Sequence, residues 1–115
     1  MTTAATLRKI AMSLDGTTSA PHFDRNAFKV ARIYVTLAPD GLTANFKFSP
    51  DEQELKCTVA ADAFAAIPNA WGRQGWTTAT LAKLSERELK DALKMAWRHA
   101  LPVKKAKARK SSRTK

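Results

Sequence analysis

A chain of 115 residues with 44% hydrophobic content can bury one core without help from a metal or a disulfide, so it reads as one small soluble domain. Its single cysteine, Cys57, cannot close an internal bridge and suits a reducing cytosol, and Arg8 and Lys9 interrupt the apolar part of the N-terminal stretch, which argues against a signal peptide or a membrane span. The formal charge of +10 is concentrated: residues 103–115 hold seven bases and no acid, while residues 1–102 carry thirteen bases and ten acids, a net of +3.

The first helix is capped by Thr2 or Thr3 and sets Leu7, Ile10, Ala11 and Leu14 on one side. Asp15-Gly16 ends it. Ala20-Pro21-His22-Phe23 follows as an edge strand that tolerates Pro21, then Asp24-Arg25-Asn26 as a turn and Ala27 to Val30 as a short strand, with Ala31-Arg32 as a bend. The stretch Ile33 to Phe48 is a β-hairpin with one apolar face. Ile33, Val35 and Leu37 alternate with Tyr34, Thr36 and Ala38, and Leu42, Ala44, Phe46 and Phe48 alternate with Thr43, Asn45 and Lys47. A three-residue loop would set Val35 opposite Asn45 and mix the faces. A four-residue loop, Ala38 to Gly41, sets Leu37 opposite Leu42, Val35 opposite Ala44 and Ile33 opposite Phe46, and is the expected register.

Ser49-Pro50-Asp51-Glu52 starts a short helix, with a Ser cap, Pro at the first helical position and acids in the first turn. Leu55 and Val59 are expected on its inward side. Asp62 to Pro68 reads as an irregular segment anchored by Phe64, Asn69 to Gly75 as a loop, and Trp76 to Leu81 as a strand. Ser85-Glu86-Arg87-Glu88 is a capping box opening a helix whose stripe of Leu89, Ala92, Leu93, Ala96, Trp97, Ala100 and Leu101 runs to Pro102. The order is helix, three strands, helix, strand, helix. That order predicts a two-layer α+β fold, an antiparallel meander covered on one face by the N- and C-terminal helices. Residues 1–102 form the domain, and residues 103–115, with no apolar residue but Ala after Val103, are an expected disordered basic tail.

No phosphate-binding glycine-rich consensus, zinc-ligand spacing or Cys-x-x-Cys occurs, so neither a cofactor nor a metal is expected, and no catalytic residue is assigned. His22 and His99 lie far apart in sequence; His99 suits the carbonyls at a helix end, and Cys57 has no local mark of an activated thiolate. Three stretches can carry binding. Trp71-Gly72-Arg73-Gln74-Gly75-Trp76 combines two glycines that permit close backbone approach with the donors of Arg73 and Gln74; alternatively the glycines serve the backbone and the tryptophans the core. The hairpin's polar face offers Tyr34 and Lys47 near Arg25, Lys29 and Arg32, a set that can stack on a base or contact phosphate and that equally describes a solvated sheet face. The tail offers Lys104, Lys105, Lys107, Arg109, Lys110 and Arg113 to a polyanion.

The runs Pro21 to Val30, Ile33 to Leu37, Phe46 to Glu52 and Trp71 to Thr77 resemble the MmcQ/YjbR family, and the likeness extends from about Leu7 to Leu101. The resemblance implies a CyaY-like α+β fold and DNA binding, a role ascribed to the family from paired hairpins that suggest a double wing. Leu14-Asp15-Gly16 departs from the family's Leu-Pro-Gly, and Ala31-Arg32 from its glycine-containing turn. Frataxin shares the fold class and binds iron through an acidic ridge. Here no acid precedes Asp15 in the first helix, which disfavours iron.

The expectation is a non-enzymatic, cytoplasmic nucleic-acid-binding protein, with DNA preferred over RNA as partner and no membrane. Its tail would make sequence-independent phosphate contacts, and the hairpin or the Trp71–Trp76 loop a more ordered one. The alternative is an adaptor for a small ligand or a protein, acting through the Trp71–Trp76 loop.

Overall fold

The computed structural model describes residues 2–101, and the expected tail with its bases at 104, 105, 107, 109, 110, 113 and 115 lies outside the described residues. Helix α1 (Ala4–Ser13) opens where Thr3 Oγ1 accepts from the Thr6 amide at 3.4 Å, and it buries Leu7, Ile10 and Ala11. Strands β1 (Thr18–His22), β2 (Arg25–Lys29), β3 (Ile33–Leu37) and β4 (Thr43–Lys47) form the antiparallel meander. Helix α2 (Pro50–Val59), strand β5 (Phe64–Ala66), the one-turn helix α3 (Ala70–Arg73) and strand β6 (Trp76–Thr80) follow, and helix α4 (Glu86–Ala100) closes the described chain.

The sheet has six strands in the order β1-β2-β3-β4-β6-β5, all antiparallel, one more than the five stretches the sequence pattern marks as strands. The extra strand is β5, where an irregular segment was expected. Phe64 fills the core while Ala65 and Ala66 are exposed, too short a pattern to read as a strand. Helices α1 and α4 share one layer. Leu7 and Ile10 from the first and Leu89, Leu93 and Ala96 from the second join Phe28, Val35, Leu37, Phe46 and Ala79 of the sheet in one core. Both capping boxes form: Ser49 with Glu52, and Ser85 with Glu88. No helix among the described residues is long and apolar enough to cross a membrane.

The hairpin keeps its faces but not its expected register. Leu37 pairs with Ala44 and Val35 with Phe46, so the four-residue loop is Pro39 to Leu42 rather than Ala38 to Gly41. Ala38 N–H donates to Thr43 O at 3.0 Å, Gly41 N–H to Ala38 O at 2.9 Å and Leu42 N–H to Asp40 Oδ1 at 2.9 Å. These bonds, with Gly41 at φ 73°, close the turn one residue later on each side. The shift is two positions, one full side-chain period, and its only loser is Leu42, which is 63% exposed.

Tyr34 departs further from expectation. It belongs to the buried core rather than to the polar face, because β3 carries an extra residue there: Lys29 pairs with Ile33 and Phe28 with Val35, leaving Tyr34 between them in a β-bulge. The bulge re-aims its side chain toward α1. Its hydroxyl donates to Ala11 O at 3.4 Å and shares a 2.9 Å hydrogen bond with Thr17 Oγ1. Burial raises the phenol's pKa, and the Thr17 bond opposes that shift.

Helix α2 is also rotated relative to expectation. Leu55 and Val59 are 53% and 74% exposed, and Cys57 and Ala60 pack on the core instead. Polar anchors set the rotation: Gln53 Nε2 donates to Gly72 O at 2.9 Å and Trp76 O at 3.0 Å, and Lys56 Nζ to Asp91 Oδ2 at 2.6 Å.

The expected loop 69–75 contains α3, whose start is held by Asn69 Oδ1 accepting from Trp71 N–H at 2.8 Å. Its glycines serve the backbone. A Cβ on Gly72 would lie 1.6 Å from Ile67 O, and one on Gly75, at φ 109°, would lie 1.8 Å from Phe48 O. Gly72→Ala and Gly75→Ala should therefore each lower stability by several times the roughly 1 kcal/mol expected for Gly41→Ala, whose left-handed backbone meets only Ala4 Cβ at 3.3 Å. Denaturant melts compare the three. Equal losses would mean that the close approaches at 72 and 75 do not hold this segment.

Candidate functional site

Strand alternation places Arg25, Thr36, Asn45 and Thr78 on the sheet face that α1 and α4 do not cover. These side chains are organised. Arg25 donates from Nε to Thr36 Oγ1 at 2.8 Å and from Nη2 to Thr36 O at 3.2 Å, so the guanidinium lies along the strand. Thr78 Oγ1 donates to Asn45 Oδ1 at 2.8 Å, which engages the carbonyl of that amide rather than its NH2.

Aromatic groups rise on both sides of this floor. The β1–β2 turn carries His22 and Phe23, with ring centroids 4.7 Å apart, and α3 carries Trp71, with Trp76 beneath it at the start of β6. Together they enclose a hollow of about 380 Å³. Phe23 is 93% exposed and Trp71 59% exposed, so neither ring is there to fill a core. Phe23 also sits at φ 61° in a two-residue turn, a conformation that favours glycine and is strained for an aromatic residue.

A second hollow of about 320 Å³ lies at the end of the sheet, between the start of β3, the end of β4 and the last turn of α4. Arg32, Lys47, Gln74 and His99 line it, and Trp76 borders both hollows. Arg32 Nη2 donates to His99 O, which caps an end carbonyl of α4. The His99 ring is held by Glu52, Nε2 to Oε1 at 2.6 Å, and the same carboxylate oxygen accepts from the Ser49 amide at 3.0 Å. A larger hollow of about 440 Å³ lies on the other side of Phe23, where Asp24 and Asp40 offset Arg8 and Arg25.

Of the residues expected from sequence, the structure gathers Arg32, Lys47 and Gln74 around the end hollow and places Arg25 on the open face. Tyr34 touches the end hollow only as part of its buried inner wall. Lys29 is exposed at the end of β2, and Arg73 is exposed at the end of α3; neither lines these hollows. Phe23 and His99 are absent from the expected set, and Trp71 enters it only with its loop, without a contact of its own. Phe23 had a signal, since an aromatic residue beside Asp24 at a tight turn cannot point into a core. Trp71 and His99 depend on α3 and on the end of α4 meeting distant strands. Among the described residues no group of three or more His, Cys, Asp or Glu is placed to hold a metal ion.

The chain matches the family model described as YjbR over residues 12–99. Its fold is similar to a crystal structure of Deinococcus radiodurans protein DR2400, described by the family-model domain DUF419. The two share 21% identity with a TM-score of 0.70, over 84% of this chain and 76% of that one. No curated protein matches.

Lys47 is held in the end hollow at an energetic cost. Its ammonium donates to Phe48 O at 3.3 Å, and its pKa is lowered by burial and then by the Arg32 guanidinium, with Glu52 acting in the opposite sense. The folded chain therefore binds this proton less readily than the unfolded chain. The resulting penalty is fully present below the lowered pKa and disappears as pH rises through it to the ordinary lysine value. Lys47→Met should thus melt at the same temperature as the wild type or higher at neutral pH. A clear fall in melting temperature would show that the ammonium is a structural anchor.

Proposed function

The chain belongs to the YjbR family, and from that premise we propose that it is a non-enzymatic nucleic-acid-binding protein whose open sheet face holds a single-stranded segment, DNA in preference to RNA. The observation that carries this reading is the pairing of two exposed aromatic rings, Phe23 and Trp71, across a floor that presents Arg25, Thr36 and Asn45. Bases that have left a duplex offer π-faces to such rings and hydrogen-bonding edges to such a floor. A paired duplex hides those faces, which is why the strand is taken as single.

Strain adds support. A phenylalanine at φ 61° costs on the order of 1–3 kcal/mol, and nothing in the core recovers it. An exposed ring kept at that cost suits a contact with something outside the chain. The bases beyond residue 103 supply the complementary term, a sequence-independent attraction to phosphate that strengthens binding without selecting a sequence.

Two variants and one truncation test the assignment by fluorescence anisotropy on labelled single-stranded and duplex DNA and single-stranded RNA. Phe23→Gly should leave the melting temperature unchanged or raise it, because glycine accepts the turn, while weakening single-strand binding about fivefold or more, the loss of roughly 1 kcal/mol of stacking. Trp71→Ala should weaken it similarly. A chain ended after Leu101 should retain the preference for single strands and lose most of its salt dependence; seven phosphate contacts on a duplex would contribute about −6 to the slope of log affinity against log salt. If both aromatic variants bind like the wild type and the truncation abolishes binding, the open face is not the reader and binding is charge alone.

A further inference from the structure

The end hollow differs from the open face in charge and in shape. Its lining contributes two basic side chains, Arg32 and Lys47, together with Gln74 and His99, and no acid. It is more enclosed than the open-face hollow, and the core residues Tyr34, Ala96 and Ala100 close it on the inside. A strand that entered it could not pass inward and would have to turn back or end there. The nearest carboxylate, Glu52, is already engaged by the His99 ring and the Ser49 amide. The last carbonyls of α4 would repel an anion, but Arg32 occupies the His99 carbonyl and presents the rest of its fork beside the hollow. Lys47 faces Arg32 there, and Glu52, the carboxylate that acts on its ammonium, offsets burial and that repulsion only in part, so an arriving anion would relieve the remainder.

We propose that this pocket binds a phosphomonoester dianion, the terminal phosphate of a nucleic-acid strand whose bases lie on the open face beyond Trp76. The proposal rests on the open face being the nucleic-acid surface. An internal phosphodiester carries one negative charge and needs an exit on both sides. A terminal monoester carries a charge of about −1.5 to −2 at neutral pH, matching two cations, and ends where the pocket ends. Its oxygens accept from the Arg32 fork and the Lys47 ammonium, with the Gln74 amide as a further donor. Trp76, at the border of the two hollows, positions the first base next to the phosphate. Free mononucleotides carry the same group, so the source of the phosphate is an arm of the test.

The experiment titrates the full chain with one short single-stranded DNA sequence bearing a 5′-phosphate, a 3′-phosphate or hydroxyls at both ends, and with a nucleoside monophosphate. One of the phosphorylated strands should bind about tenfold more tightly than the hydroxyl-ended strand, a gain of about 1.4 kcal/mol. Lys47→Met should remove that preference while leaving hydroxyl-ended binding in place, and Gln74→Ala should reduce it. Equal binding of all three strands overturns the proposal and leaves the open-face reading standing. So does a preference that survives undiminished in Lys47→Met, since the added charge would then be met elsewhere. Lys47-dependent binding of the mononucleotide with no binding of any strand would keep the phosphate pocket and overturn the open-face reading. Binding of neither strands nor mononucleotide overturns both.

Discussion

The first and last helices, α1 and α4, pack on the same face of the sheet, and nearly every other feature depends on that one-sided burial. The apolar sides of α1 and α4 meet Phe28, Val35, Leu37, Phe46 and Ala79 in a single layer of contact. A two-layer arrangement of this kind leaves the opposite face of each central strand without a helical cover. Thr36, Asn45 and Thr78 can therefore be polar, half-buried or buried, and still satisfied by one another and by Arg25. The floor of the open hollow is thus a by-product of how the core is built, whereas its walls are not. The walls come from the β1–β2 turn and from α3, two additions at opposite sides of the sheet.

How far the fold was legible in the sequence follows from where periodicity does and does not apply. Ser85 and Glu88 with the stripe from Leu89 to Ala100 specify α4 by local chemistry alone, and Ser49, Pro50 and Glu52 do the same for the start of α2. Rotation of α2 was not legible, because it is fixed by Gln53 reaching Gly72 O and Trp76 O some twenty residues away. Tyr34 failed for a related reason. Alternation assigns it to the face of Thr36, but a single unpaired residue in β3 resets the count, and no residue type in Ile33-Tyr34-Val35 announces a bulge. The hairpin register slipped by a whole period because the Asp40 carboxylate, accepting from Leu42 N–H, and the Gly41 amide, donating to Ala38 O, close a turn that outweighs the match of Leu37 with Leu42.

The candidate site shows the same division. Arg32 and Lys47 belong by sequence to the hairpin's polar set and Gln74 to the separate Trp71–Trp76 stretch, and the structure brings all three to one end hollow. Their convergence rests on contacts that residue types do not encode: the β4–β6 pairing that sets Lys47 beside Trp76, and the Arg32 bond to the end of α4. Arg73 and Lys29 were chosen for charge, and charge without a hollow places them on open surface. The aromatic walls were hidden by the usual expectation that a tryptophan or phenylalanine fills a core, which holds for Phe46 and Phe48 and fails for Phe23 and Trp71.

Two positions carry local energetic costs, and they border the two hollows. Phe23 holds a left-handed backbone at one wall of the open face, and Lys47 holds a half-buried charge against Arg32 at the end pocket. Neither cost is needed by the core: Phe23 lies almost wholly in solvent, and the stretch of β4 near Lys47 is secured by Phe46 and Phe48 on its other side. Strain and desolvated charge persist in a marginally stable domain where the surrounding structure fixes them in place. Here β1–β2 pairing fixes the turn, and β4–β6 pairing fixes the lysine. Trp76, which lines both hollows and whose carbonyl accepts from Gln53, is the residue through which the two costly positions adjoin, and that adjacency is the physical basis for proposing one extended ligand for both.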